Sequence, residues 1–335
     1  LVAAVASLAL GAVVGPEAPA IALGGGLAVL VVKLARRDMP ASTYAVIAAA
    51  GSFAGISTLL GNPLAGAFLL LEASGLGGPM ATIVLIPGLL GAGLGTLIFL
   101  GLNAWTGYGT FSLTVPNLPP APHLDVAQFG WALAIGLAAA VVCFGIKWLA
   151  LYLRPHVERR LLLLTPLAGL AIAGLAIAFA EATGKPSSDV LFSGQTALTP
   201  LLENAASYTV GTLVLLIVCK GLAYSISLSS FRGGPTFPGM FLGAAGGIAL
   251  SHLPGLPMIA GAAIGIGAMT AGMLQLPITA VLLTTLFLGT DGIKTMPLVI
   301  VAVVVSFVLS KWLAGPPPEP TVPEPEEATV PPQVR

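Results

Sequence analysis

Charge is what this sequence has least of. Asp, Glu, Lys and Arg together make up 8% of 335 residues, and none of them occurs among the 58 residues between Arg232 and Asp291. Water-soluble domains carry about 25%, so a soluble globule is excluded, and the uncharged stretch has room for two or more spans of about 20 residues. Formal net charge is zero, with 13 basic and 13 acidic residues, so there is no electrostatic footprint for nucleic acid. Histidine is scarce as well: His123, His156 and His252 stand far apart, without the spacing that a metal site needs. The two cysteines, Cys143 and Cys219, both fall in apolar segments and read as small buried hydrophobes. No nucleophile–base pair and no cluster of acids and histidines lies inside the apolar segments, so an intramembrane enzyme has no support. No cofactor or metal is implied.

Hydrophobic residues, by contrast, make up 56% of the chain, and the mean hydropathy is +1.00. Uncharged length predicts apolar segments near 1–14, 18–35, 43–60, 63–73, 80–102, 127–153, 161–182, 198–205, 208–229, 237–251, 257–272, 277–288 and 293–313. The expectation is an all-α, multi-pass protein of the cell membrane. Several segments are too short to cross about 30 Å of hydrocarbon, and half-length helices at membrane depth survive only where protein or a watery cavity satisfies their ends. The first residues, LVAAVASLALGAVVG, read as a transmembrane helix entered partway along, as in a chain that continues upstream. Lys33, Arg36 and Arg37 with Asp38, and Arg154, Arg159 and Arg160 with Glu158, form two basic clusters that the bias of Lys and Arg toward cytoplasmic loops places inside. The connections 103–125 and 183–194 then face outward. From about Gly315 a proline- and glutamate-rich stretch, PPPEPTVPEPEEATVPPQVR, cannot build a core. The division expected is therefore a membrane domain over 1–313, with halves of about 1–102 and 127–313, and a disordered tail over 314–335.

Two short motifs recur in order. Gly15-Pro16-Glu17-Ala18-Pro19 and Gly234-Pro235-Thr236-Phe237-Pro238 share the pattern G-P-x-x-P, and Leu23-Gly24 recurs as Leu242-Gly243 at the same separation. Gly51, Ala54 and Pro63 recur as Gly265, Ala268 and Pro277. Paired halves with interrupted helices are the architecture of many transporters, with the site where the repeats meet. Each G-P-x-x-P turn is a good helix start, because proline fixes φ and needs no N–H there. The free amides and the positive end of the helix dipole then face the turn. Two such ends meeting inside the membrane attract an anion, and partial charges hold it loosely enough to leave. Glu17 is the only acid between Leu1 and Asp38. At a helix mouth its ionised carboxylate competes with an anion and its protonated form moves aside, so it reads as a gate; the alternative is a first-turn capping acid. Asn62-Pro63 and the Pro277 turn read as helix starts that support the pathway. Lys220, in mid-segment, lines an anion-attracting vestibule or snorkels to an interface. Glu72 and Glu203 read as segment-end residues with solvated or packing roles.

At these positions the sequence resembles the CLC family of chloride channels and proton/chloride antiporters, over roughly residues 1–313. G-P-E-A-P is similar to the family's G-x-E-G-P, G-G-P-T-F-P to its G-G-x-F-x-P, and AGISTLLGNPLAGAFLLLE to the helix pair that follows. The resemblance implies an inverted repeat of tilted, half-length helices, and a homodimer with one anion pathway per subunit. It also makes Glu17 the gating glutamate, with the anion held by Gly15, Pro16, Ala18, Pro19, Gly234, Pro235, Thr236, Phe237 and Pro238. Departures from the pattern are Ala73 where many antiporters have a second glutamate, Pro235 with its missing N–H, Phe237 one place late, and Ala18 for glycine. Ala73 favours channel-like or weakly coupled chloride transport over proton-coupled antiport. A non-transporting membrane scaffold is a third reading.

Overall fold

A computed structural model describes residues 2–35, 39–75, 78–107, 109, 114–115 and 125–315. The Arg36–Asp38 part of the first basic cluster, most of the 103–125 connection and the tail beyond Gly315 lie outside the described residues. Within them the chain forms twelve α-helices: α1 (Val2–Ala9), α2 (Glu17–Ala35), α3 (Ala41–Leu60), α4 (Pro63–Ser74), α5 (Gly78–Thr106), α6 (Val126–Arg159), α7 (Leu161–Thr183), α8 (Leu198–Glu203), α9 (Val210–Ser230), α10 (Thr236–Leu250), α11 (Met258–Leu274) and α12 (Pro277–Ala314). Seven of these are long and apolar enough to cross a membrane. Many large apolar side chains, such as Ile86, Leu90 and Leu97 on α5 and Leu162, Leu163 and Leu170 on α7, stand exposed, as a lipid-facing surface requires. Trp105 and Trp312, exposed at the ends of α5 and α12, suit the membrane–water boundary.

Each apolar segment of the sequence contains helix. The stretches 277–288 and 293–313 are the two helical arms of α12, separated at Gly289 by a residue with non-helical backbone (φ 59°, ψ −128°). At about 1.5 Å per residue, the 12, 15 and 17 residues of α4, α10 and α11 fall short of about 30 Å of hydrocarbon.

The repeat seen in the motifs is also a repeat of packing. On α2 and α3, Gly24 and Gly51 lie so close that a Cβ on either would strike the other's carbonyl; on α10 and α11, Gly243 and Gly265 do the same. These are the pairs that the sequence matches across its halves. In lipid, close approach of backbones at small residues is what holds helices together, so both halves are built on one glycine-mediated crossing. The first crossing lies toward the surface, with only Glu17 and Gly25 of α2 buried. The second is interior: most of α10 and nearly all of α11 are buried.

Candidate functional site

The two G-P-x-x-P turns meet. Gly15 and Gly234 exchange both backbone hydrogen bonds, each N–H donating to the other's carbonyl at 2.7 Å. Helix α2 begins at Glu17 and α10 at Thr236, so Pro16 and Pro235 lie just outside their helices, one place earlier than a first-turn position. The Gly15 and Gly234 amides are thus engaged with each other. Pro16, Pro19, Pro235 and Pro238 have no N–H to offer. Four amides remain at the two helix starts: Glu17 and Ala18 on one, Thr236 and Phe237 on the other. Thr236, Phe237 and Pro238 are buried, Pro16 and Pro19 half-buried, and Ala18 exposed.

The Glu17 carboxylate occupies the junction. Its residue is 3% exposed, and Oε1 accepts the Phe237 N–H at 3.1 Å, while Oε2 is buried without a hydrogen-bond partner among the described residues. A side chain from the first half thus caps the helix start of the second. The carboxyl sits directly against Gly15 and Gly234, and a Cβ on either glycine would overlap its oxygens. A side chain at either place would have to displace the carboxyl.

Asn62 and Pro63 act as the sequence suggests. The Asn62 Oδ1 accepts the Leu64 and Ala65 amides at 3.0 and 3.1 Å, with Pro63 opening α4. Pro277 opens α12. Glu72 has a more definite role than a solvated end: its carboxylate accepts the Ile278 and Thr279 amides at 2.9 and 2.7 Å and the Thr279 hydroxyl at 2.6 Å. A second first-half carboxylate therefore caps a second-half helix. Glu203 is exposed at the end of α8, and Ala73 is exposed.

Lys220 fits neither of its two expected roles. It is 0% exposed, and its Nζ donates to the carbonyls of Asp189, Val190, Leu191 and Phe192 at 2.9–3.2 Å. Burial among four acceptors satisfies the ammonium, so nothing draws it to a vestibule or an interface. Two further side chains that hold the turns, Tyr224 and Ser227, went unremarked in the sequence. Their signal was there, since with Lys220 they put three polar groups on one face of α9.

Beside the turns lies a cavity of about 730 Å³, lined in part by Ser7, Gly11, Ala12, Arg154, Ser229 and Arg232. It adjoins the chain just ahead of both motifs, and its wall carries Arg232 and the Arg154–Glu158 ion pair, 2.8 Å across.

Seven apolar spans, with two buried helix starts brought face to face through a paired motif, define a multi-pass membrane protein of the interrupted-helix class. The family model described as voltage gated chloride channel matches residues 1–311, and the chain belongs to that family. Among relatives, "Putative ion-transport protein YfeO" of Escherichia coli O1:K1 / APEC is 27% identical over 266 residues, covering 77% of this chain and 58% of the relative; the protein of the same name from Shigella boydii serotype 4 (strain Sb227) matches equally. The chain thus spans less than two thirds of the length of these relatives. A slow cyanobacterial Cl−/H+ antiporter shares the fold with a TM-score of 0.72 at 20% identity, over 93% of this chain and 71% of that one. A CLC-type fluoride/proton antiporter aligns with a TM-score of 0.67 at 24% identity, over 90% and 71%. The architecture is that of the CLC fold, an all-α inverted repeat with half-length helices.

Proposed function

We propose that this protein carries chloride or a similar small anion across the bilayer in a channel-like or weakly coupled mode, with the ion held at the α2 and α10 helix starts and Glu17 as the gate. One observation carries the reading: the Glu17 carboxylate lies on the Phe237 amide, where it stands in for a mobile anion. An ionised carboxylate and a halide want the same donors and compete for them. Protonation removes the charge and frees the amides. The contact glycines, Gly15 and Gly234, leave room for this exchange, and Pro16, Pro19, Pro235 and Pro238 restrict the donors to the two x-x pairs, Glu17-Ala18 and Thr236-Phe237. Asn62, Pro63 and Pro277 start the helices that frame the pathway. No Lys or Arg stands within either turn, and partial charges let an ion leave as well as enter. Arg232, on the wall of the neighbouring cavity, favours anion entry from that side, while Arg154 on the same wall is paired with Glu158. A homodimer with one pathway per subunit is the assembly that the family resemblance supports, with residues 1–313 as the membrane domain and 314–335 as a separate tail.

The test is chloride efflux from liposomes holding the complete protein. Wild type is expected to pass more chloride as pH falls, and Glu17→Gln to pass it at a rate independent of pH. A Glu17→Gln variant with the wild-type pH response would remove Glu17 from the role, and no flux from wild type would favour a scaffold.

Proton-coupled antiport is the second reading, favoured by the two solved relatives, both antiporters. Against it, Ala73 cannot carry a proton and Glu72 is engaged in capping α12. Proton uptake driven by a chloride gradient, persisting in Glu72→Gln, would establish antiport by another route.

A further inference from the structure

Helix α9 is apolar enough to span a membrane, yet Lys220, Tyr224 and Ser227 sit on it at spacings of four and three, hence on one face. All three are 0% exposed, and each bonds the backbone of a different loop. The Ser227 hydroxyl accepts the Val13 N–H at 2.9 Å, two residues before Gly15. Tyr224 donates its hydroxyl to the Pro235 carbonyl at 2.8 Å, one residue after Gly234. Lys220 gathers the four carbonyls of residues 189–192, and the Phe192 N–H donates to the Gly11 carbonyl at 3.1 Å. Its ammonium also lies 4.5 Å from the centre of the Phe241 ring, on α10.

This arrangement exceeds what packing needs. Phe192 is held at φ +58°, a region that non-glycine residues rarely adopt, and backbone in such a state persists only where its surroundings impose it. Lys220 and Gly11 impose it from both sides. One rigid helix therefore grips the approach to the first turn twice, through Ser227 and through the 189–192 loop, and grips the second turn at Pro235. By contrast Ser225, on the same helix, bonds only its own Gly221 carbonyl.

We infer that Tyr224 and Ser227, with Lys220 behind them, are positioning residues of the anion site: through α9 they fix the spacing between the Val13–Glu17 and Pro235–Phe237 turns, and that spacing selects the anion. The inference rests on the anion-carrying reading above. The Gly15–Gly234 pair pins the two turns at one point; beyond it, their free amides close on an ion only at the separation that the helix sets, and ions of different radius need different separations.

The test measures chloride, bromide and nitrate flux through the complete protein in liposomes, with the pH profile of each. Tyr224→Phe keeps the ring and loses the hydroxyl; Ser227→Ala loses the acceptor. Each is expected to change the chloride-to-nitrate ratio by about three- to tenfold, the scale on which one buried hydrogen bond acts, and to displace the pH profile. Ser227→Thr, which keeps a hydroxyl, is expected to restore the wild-type ratio, and Ser225→Ala to leave it unchanged. A purely structural role would lower heat stability and leave ratio and pH profile alone; that result in both Tyr224→Phe and Ser227→Ala overturns the inference while the transport reading stands. If Tyr224→Phe does not fold, the Ser227→Ala and Ser227→Thr pair decides. Absence of flux from wild type overturns the transport reading and this inference with it.

Discussion

At the scale of single residues, the contact between Glu17 and two glycines ties backbone chemistry to gating. A methyl group added at Gly234 meets the buried Glu17 carboxyl. Gly234→Ala is therefore expected to push the carboxyl off the Phe237 amide. Overpacking of this kind costs roughly 1–3 kcal/mol, readable as a lower unfolding midpoint, and chloride flux at neutral pH is expected to move toward that of Glu17→Gln. The cause can be isolated with Glu17→Ala, which empties the space the methyl group needs. In that background Gly234→Ala is expected to cost much less, so the two changes couple instead of adding. Additive costs would mean that the methyl group meets something other than the carboxyl.

Among elements, the recurring device is a first-half carboxylate on a second-half helix start: Glu17 on α10 and Glu72 on α12. The two differ in surroundings. Glu17 is nearly sealed from solvent, whereas Glu72 is half-exposed and holds three donors at once. Glu72→Ala is expected to lower stability by about 0.5–2 kcal/mol, the range for losing a helix N-cap, measured as a shift in thermal unfolding in detergent, and to leave the pH response of flux intact. A flattened pH response in Glu72→Ala would show that Glu72 shares the gating role. How much of this was legible in the sequence follows from the range of each interaction. Helix positions were legible, since apolar length alone sets them in a membrane, and the Gly24/Gly51 and Gly243/Gly265 crossings were announced by the ordered repeat. The meeting of Gly15 with Gly234 followed from the same repeat, although their amides proved to be engaged with each other. The partners of Glu72 and Lys220 were not legible: they are mostly backbone groups, 206–207 and 28–31 residues away, and backbone groups leave no mark in composition. The break at Gly289, by contrast, falls where the apolar segments 277–288 and 293–313 divide, so it was legible.

For the whole molecule, orientation in the bilayer follows from α7. Its 23 residues rise about 35 Å at about 1.5 Å each, enough to cross the hydrocarbon once, so its two ends lie on opposite faces. Arg159 and Arg160 precede it and Arg154 lies further back, while the α7 C-terminal end at Thr183 has no basic residue in its last turn and Lys185 alone just beyond it. The excess of Lys and Arg on cytoplasmic loops then puts the α6–α7 junction inside and the 183–186 connection outside. With Cys143 and Cys219 replaced by alanine, a single cysteine at Arg159 is expected to react with a membrane-impermeant thiol reagent only after the inner face is opened. One at Ala182, exposed near the far end of α7, is expected to react from outside intact cells. Labelling of both from the same side would mean that α7 does not cross. Labelling of both from the reversed sides would keep the fold but invert the molecule, moving the cavity walled by Arg154 and Arg232 from the inner approach to the outer one.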